Sequence, residues 1–184
     1  MEVVDTAAYV FATRGYDATS IDDLTSETGL QRGGLYHYIT GKKDLLFAVH
    51  DRCMRPLLEG AQAVELSGAP PAQALRALAR VLMRSVDEYY YHVRVVLQEW
   101  RTMAMDPRWP EVHRERRTLE QIIIRTIERG VAEGVFEVSQ PGLAALAFLG
   151  MINYSYQWLD PKGKQKPSDI ADYYAELFVR GICK

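Results

Sequence analysis

The chain contains 184 residues, of which 48% are hydrophobic and 25% charged, with a formal net charge of −2 and two cysteines. This apolar fraction excludes a disordered chain, and the length suffices for one good-sized core or for a small domain joined to a larger one. The longest mostly apolar run, residues 142–152, is shorter than the roughly 20 residues of a membrane span, and no signal peptide is recognisable. We therefore predict a cytoplasmic protein with no membrane segment, reduced thiols at Cys53 and Cys183, and no metal or cofactor.

Helical spacing recurs along the whole chain, and no stretch shows the alternation of a β-strand. The first three predicted helices lie within the first 40 residues. The first ends at Gly15, and the second begins after the N-cap Ser20 and ends at Gly29. The third follows directly, and Gly41 separates it from a long helix over 42–66.

Three breaks rich in proline, glycine or polar residues divide the remaining chain, at 67–72, 106–110 and 160–169. Between the first two breaks we expect one helix that begins near Pro71 and ends near His92, with Leu75, Leu78, Leu82 and Val86 on its core face, and a second helix after it. An amphipathic helix follows the second break, with Val112, Leu119, Ile123 and Ile127 on its apolar face. An almost wholly apolar helix over 141–159 comes next. Ser168 or Asp169 is expected to cap the last helix. The prediction is an all-α protein of about nine helices.

Two adjacent glycines, Gly33 and Gly34, lie at the start of the third predicted helix, where each costs roughly 0.5–1 kcal/mol relative to alanine. Short helices joined by a tight turn at Gly29 indicate a helix-turn-helix, in which the last helix enters the major groove of DNA. Without Cβ atoms, the two glycines let backbone N–H groups approach DNA closely. The simpler alternative is an ordinary loop.

The stretch "FATRGYDATSIDDLTSETGLQRGGLYHYITGKKDLL" (11–46) closely resembles the DNA-binding domain of the TetR family of repressors. The shared features are an aromatic residue and a glycine near the end of helix one, a Ser cap, a Gly-Leu turn, a Leu-Tyr-x-Tyr run and a lysine four residues after the second tyrosine. The resemblance implies a helix-turn-helix domain over 1–45, a ligand-binding and dimerisation domain over 46–184, and a palindromic double-stranded operator as partner. It places the following residues at DNA: Ser20, Ile21, Gln31, Arg32, Gly33, Gly34, Tyr36, His37, Tyr38 and Lys42.

Within this set, Arg32 is expected to contact a base edge and Lys42 a phosphate. The sequence departs from the family in helix two, where Thr25 and Thr28 replace alanines. Residues 1–50 carry four basic and seven acidic side chains, an acidic excess that is unfavourable for binding DNA. Members of the family carry a basic arm before helix one, and we expect that the sequence begins after this arm.

Three tyrosines, a tryptophan and two methionines are concentrated in "EYYYHVRVVLQEWRTMAM" (88–105). Large aromatic residues at helical spacing form either an ordinary core or the wall of an apolar ligand cavity. The second interpretation predicts a small apolar effector that contacts Tyr89, Tyr90, Trp100, Met103, Phe148 and Asn153. The segment 148–178 resembles the closing helices of TetR regulators that respond to fatty acyl-CoA. The phosphate groups of coenzyme A would need cations, which are available from Arg114, Arg116, Arg117 and the lysines of 162–166.

The apolar helix over 141–159 would expose a hydrophobic face to water in a monomer. In the TetR family the last two helices of each subunit pair as a four-helix interface, which implies a homodimer. The residues expected at this interface are Leu143, Leu146, Ala147, Gly150, Tyr154, Tyr174 and Phe178.

The motifs of common enzyme classes are absent from the sequence. It contains no G-x-S-x-G, no glycine-rich phosphate loop, no paired Glu-x-x-His and no cluster of histidines. We therefore predict a non-enzymatic, ligand-responsive repressor that an effector releases from its operator. The alternative is a helix-turn-helix structural or interaction module that has no effector.

Overall fold

The computed structural model describes residues 3–31, 33–34, 39–160 and 163–184. This part of the chain contains nine α-helices whose bounds are described, one short 3-10 helix and a helical pair at 33–34, which confirms the predicted all-α class. The helices are α1 (Val3–Arg14), α2 (Ile21–Thr28), α3 (Lys42–Leu66), α4 (Pro71–Glu88), α5 (Tyr90–Gln98), α6 (Trp100–Ala104), α7 (Trp109–Ala132), α8 (Pro141–Asn153), the 3-10 helix (Tyr154–Gln157) and α9 (Pro167–Ile182). None of them is both long and apolar enough to cross a membrane.

Glycine and proline fix several helix ends. Gly15 and Gly29 adopt φ values of +87° and +70°, a left-handed conformation that glycine reaches without a steric penalty, and they end α1 and α2. Pro71 is the first residue of α4, a position at which its missing N–H costs no hydrogen bond. These three boundaries agree with the sequence predictions.

The helices in the middle of the chain break at other places than predicted. Helix α4 ends at Glu88 rather than near His92, and Tyr89 separates it from α5 without a side-chain cap. The next predicted helix is interrupted once more, at Glu99, before α6. No glycine, proline or capping side chain marks either break, and so the local sequence carries no signal for them.

The C-terminal helices also differ from the prediction. Helix α9 begins at Pro167, whose fixed φ suits the first helical turn, so that neither Ser168 nor Asp169 is the cap. The predicted helix over 141–159 ends as an α-helix at Asn153 and continues as a single 3-10 turn.

The chain divides into two compact units. The first comprises Met1–Arg55 and Tyr89–Trp109, and the second comprises Pro56–Glu88 and Pro110–Lys184. In the first unit α1 packs against α2 and α5. The apolar face of α1 is buried there through Ala7, Ala8, Val10 and Phe11.

In the second unit α4 packs mainly against α9, and α8 contacts both. The predicted core positions of α4 and α7 are confirmed, since all of them are buried: Leu75, Leu78, Leu82, Val86, Val112, Leu119, Ile123 and Ile127. Arg80 forms a bidentate pair with Asp172 at 2.5 and 2.9 Å, and Arg76 lies 2.7 Å from Glu176. Such exposed pairs contribute about 1 kcal/mol or less each, so burial of apolar surface supplies most of the stability.

We expect Gly130→Ala to destabilise the second unit. A Cβ on Gly130 would lie 2.0 Å from Cδ2 of Phe136, which is itself 1% exposed and has no room to move. The clash should cost about 1–3 kcal/mol, more than the roughly 1 kcal/mol that alanine gains in a helix. Urea unfolding measures the difference. Gly142→Ala is the control, because a Cβ there meets nothing within 4 Å among the described residues; equal stability of the two variants would contradict the prediction.

Candidate nucleic-acid interface

Helix α2 begins at a capping box formed by Ser20 and Asp23, which confirms the predicted N-cap. The Asp23 N–H donates to Ser20 Oγ at 3.1 Å, and the Ser20 N–H and Oγ donate to the Asp23 carboxylate at 2.7 and 2.6 Å. These hydrogen bonds hold the pKa of Asp23 below its ordinary value. Because the Ser20 hydroxyl proton is engaged, the donors that this helix start offers to an anion are backbone N–H groups such as that of Ile21.

The two threonines that stand where the family has alanines are accommodated within α2. Thr25 Oγ1 donates to the carbonyl of Asp22 at 2.9 Å, and Thr28 Oγ1 donates to the carbonyl of Leu24 at 2.8 Å. Leu24 is fully buried. Neither departure from the family pattern therefore leaves an unsatisfied hydroxyl or disturbs the buried face of the helix.

The start of the third predicted helix is exposed. Gln31 and Gly33 are exposed, and Gly33 and Gly34 are helical. A Cβ on Gly33 would meet nothing within 4 Å among the described residues, and one on Gly34 would meet only Leu30, at 3.9 Å. Neither glycine has a positive φ. The protein's own described contacts therefore do not require glycine at either position.

Other residues of this segment fall outside the described part of the chain. These are Arg32, Tyr36, His37 and Tyr38, and their contacts with DNA stay predictions. Ile39, which follows them, is buried.

Three of the four basic side chains of residues 1–50 are engaged by the chain itself. Arg14 pairs with Glu27, and Lys43 Nζ lies 3.8 Å from the carboxylate of Asp106. Lys42 donates to backbone carbonyls of the turn between α1 and α2. The fourth, Arg32, lies outside the described residues.

An ion-pair network surrounds the start of α3. The Asp44 carboxylate accepts from the N–H and Oγ1 of Thr40 at 2.7 and 2.5 Å, and from Arg108 Nη1 at 2.8 Å. Arg108 also donates through Nε to Asp106 at 2.9 Å, and its Cζ lies 3.9 Å from the ring centre of Phe47. The network therefore connects Thr40, just before α3, to the corner that precedes α7.

The sequence analysis missed this network. It interpreted "DPRWP" only as a break between helices. The available signal was the aspartate at the start of this break. An Asp side chain commonly accepts a hydrogen bond from the backbone N–H two residues later, as Asp106 does from Arg108 at 3.0 Å. The partnership with Asp44, 64 residues away, has no local signal.

We expect the stabilisation from Asp106 to disappear in acid. Hydrogen bonds from Arg108 lower the pKa of the buried Asp106 carboxylate to about 2, from 3.8. A carboxyl group with a lowered folded-state pKa stabilises the protein above its unfolded-state pKa, and this contribution is lost as the pH falls toward 2. The difference in free energy of unfolding between the wild type and Asp106→Asn should therefore shrink between pH 4 and pH 2. Exposed Asp87→Asn is the control, and a difference that did not change with pH would contradict the assignment.

The predicted effector residues fall in both compact units. The first unit contains Tyr89, Tyr90, Trp100 and Met103, and the second contains Phe148 and Asn153. Met103 and Phe148 are buried, and Trp100 is 44% exposed. The prediction that these residues contact one effector stays a prediction.

An apolar stripe is exposed along α8 and α9 of the second unit. On α8 and the following 3-10 turn the exposed positions repeat at helical spacing: Leu143, Leu146, Ala147, Gly150, Tyr154 and Trp158. On α9 the exposed apolar side chains are Tyr173 and Leu177. Tyr174 is half-buried, and Phe178 is buried against Phe148, with ring centres 5.0 Å apart. Tyr173 and Leu177 were missed, although their spacing of four residues marks one face of a helix.

Two family models match the chain. "Bacterial regulatory proteins, tetR family" matches residues 3–49, and "Tetracyclin repressor-like, C-terminal domain" matches residues 68–182. Among curated proteins, the HTH-type transcriptional repressor KstR2 of Mycobacterium tuberculosis is 23% identical over 100% of this chain and 92% of its own length. KstR2 of Rhodococcus jostii is 22% identical over 98% and 89%.

Solved structures have the same helical fold. The TetR family transcriptional regulator PfmR from Thermus thermophilus superposes with a TM-score of 0.90 at 28% identity, and the match covers 98% of both chains. AibR in complex with isovaleryl coenzyme A and operator DNA superposes with a TM-score of 0.85 at 26% identity over 95% of both chains.

Proposed function

Because this chain belongs to the TetR family of bacterial transcriptional regulators, we propose that it binds a palindromic operator as a homodimer and that a small apolar effector releases it. Residues 1–45 bind DNA, and residues 46–184 hold the effector and the dimer interface. The protein is a cytoplasmic repressor that performs no catalysis.

The observation that best supports DNA binding is the pair of adjacent glycines in the third predicted helix. Gly33 and Gly34 lie in a helix, without a positive φ and without close described neighbours, so nothing in the described part of the chain requires glycine there. Two glycines in a helix cost about 1–2 kcal/mol together. Close approach of the backbone to DNA explains why the chain accepts this cost, because the segment stands where the helix-turn-helix presents its base-reading end.

The exposed stripe of α8 and α9 supports the homodimer. It presents large apolar side chains beside two small residues, Ala147 and Gly150, and a Cβ on Gly150 would meet nothing within 4 Å among the described residues. Small residues let a partner helix approach, while the apolar side chains around them lose water on association. A two-fold axis through this stripe would pair each subunit's α8 and α9 as a four-helix interface.

The effector is a largely apolar molecule, and an acyl-CoA thioester is the more specific candidate. AibR, which shares the fold, is described as a complex with isovaleryl coenzyme A. The nucleotide of such a ligand needs cations. Of the three arginines predicted for this role, Arg116 on α7 is half-buried, whereas Arg114 and Arg117 are exposed. Arg116 is therefore the first choice for a phosphate contact.

Titration of acyl-CoAs of several chain lengths into the protein–operator complex tests this function, with free CoA and free fatty acids as controls. Release by the thioesters alone would support both the apolar site and the phosphate contact, and Arg116→Gln should then weaken the response. Release by fatty acids as well would support an apolar effector but contradict a contact with the phosphate groups of coenzyme A. No release by any apolar compound would contradict the effector.

The alternative is a DNA-binding module that has no effector. The burial of Met103 and Phe148 favours it, since an ordinary core looks the same. Native mass spectrometry of the purified dimer separates the two functions, because a co-purified small molecule would argue against the alternative.

A further inference from the structure

Lys42 makes an unusual set of contacts for a residue expected at a phosphate. Its Nζ donates to the carbonyls of Tyr16 at 2.7 Å and Thr19 at 3.0 Å, and lies 3.4 Å from the carbonyl of Asp17. An ammonium group has three N–H donors and no more. The three carbonyls of this turn therefore occupy the donors that a phosphate would need.

The turn that receives Lys42 is anchored in the core by Tyr16 and Thr19, whereas Asp17 and Ala18 between them are exposed. Tyr16 and Thr19 are 4% and 2% exposed, and burial raises the pKa of Tyr16 to about 12. Thr19 Oγ1 donates to the carbonyl of Gly15 at 2.7 Å, and the ring of Tyr16 lies against Phe11 with ring centres 5.0 Å apart. The Lys42 ammonium lies 4.3 Å from the centre of the Tyr16 ring. The lysine thus joins the start of α3 to a fixed point of the core of the first unit.

The two ends of this link lie beside the proposed DNA contacts. Thr19 directly precedes Ser20, whose capping box sets the start of α2 and the direction of its first N–H groups. Lys42 comes directly after Thr40 and Gly41, where the recognition segment (30–40) ends. One side chain therefore fixes the start of α2 relative to the end of the recognition segment.

We propose that Lys42 is a positioning residue for operator binding, which acts through the turn 16–19 and the start of α2 rather than through a phosphate contact of its own. This inference rests on the proposed DNA-binding function. It replaces the role that the family resemblance implied for Lys42.

Lys42→Arg separates the two roles. An arginine keeps the charge and binds phosphate at least as well as lysine, so a direct phosphate contact would survive the change. A planar guanidinium cannot direct donors to three carbonyls that converge on one atom, so a positioning role would be lost. We expect Lys42→Arg to weaken operator binding about tenfold or more, because the loss of a hydrogen bond to a charged group typically has an effect of this size. Lys43→Arg is the control, because the Lys43 side chain is 55% exposed and its described ion pair is with Asp106.

The measurements are made well below the unfolding transition of each variant, which urea unfolding locates. Wild-type operator affinity in Lys42→Arg would overturn the proposal. A second measurement, made without DNA, tests the positioning role of Lys42 independently of the proposed DNA-binding function. Amide hydrogen exchange at Thr19 and Asp23 should be faster in Lys42→Arg than in Lys43→Arg, and unchanged exchange would overturn the proposal even if the wild type bound no operator.

If Lys42→Arg does not fold, Lys42→Gln replaces it. The dependence of log affinity on log salt concentration should then keep its slope while the affinity falls. A loss of slope of about 0.9, the value for one phosphate contact, would overturn the proposal.

Discussion

Replacement of Gly150 by arginine is expected to abolish operator binding while each subunit stays folded. Gly150 lies in the middle of the exposed stripe on α8, and a Cβ there would meet nothing within 4 Å in the described part of its own subunit. Arginine also favours a helix over glycine by about 1 kcal/mol, so the helix itself should not suffer. In the proposed dimer, however, two charged side chains would be forced into an apolar interface.

The loss of operator affinity should be large because a single helix-turn-helix contacts only one half-site. Separation of the subunits removes about half of the specific contacts, and we expect affinity to fall more than about 100-fold. Sedimentation measures the subunit association, fluorescence anisotropy the operator affinity, and circular dichroism the helix content. Gln121→Arg, on an exposed position of α7 in the same unit, introduces the same charge away from the stripe and should change none of the three. A wild type that stays monomeric at micromolar concentration would contradict the dimer.

The double variant Gly33→Ala/Gly34→Ala is expected to become more stable and to bind DNA less well. Alanine in place of glycine should add roughly 0.5–1 kcal/mol of helix stability at each position, since nothing in the described chain obstructs either Cβ. The same two methyl groups would stand between the helix backbone and the DNA. We expect operator affinity to fall about 100-fold, which corresponds to about 2.7 kcal/mol.

Opposite changes in stability and affinity distinguish a DNA contact from a general defect, because a general defect lowers both. Gly142→Ala, also open but remote in sequence and in the other compact unit, should leave affinity unchanged. A double variant that bound the operator like the wild type would mean that the recognition segment does not lie against DNA as proposed.

The parts of the fold that the sequence predicted are those with local causes. Gly15, Gly29 and Pro71 end or begin helices because of their own backbone preferences, and these boundaries are confirmed. The breaks at Tyr89 and Glu99 have no such residue and no side-chain cap, so no local pattern marks them. The ion pair between Arg108 and Asp44 likewise joins residues distant in sequence, so no local pattern could reveal it.

In the candidate site, too, features with local causes were predictable, and features that depend on residues distant in sequence were not. The Ser20 cap was predictable because the capping partner Asp23 is three residues away. The role of Lys42 was not, since a lysine at a helix start looks like a phosphate contact until its carbonyl partners, more than 20 residues earlier, are known. Tyr173 and Leu177 were overlooked for another reason. Apolar residues are frequent throughout α9, and only the packing against α4 and α8 determines which of them remain exposed.

Selection of bound duplexes from a random DNA pool tests the central claim most directly. A symmetric dimer of helix-turn-helix subunits should enrich a palindrome whose half-site centres lie about one helical turn, or a multiple of it, apart. Recovery of such a palindrome, bound by two subunits, is the result we predict. A pool without sequence enrichment, or a single half-site bound by one subunit, would contradict a dimeric, operator-specific repressor.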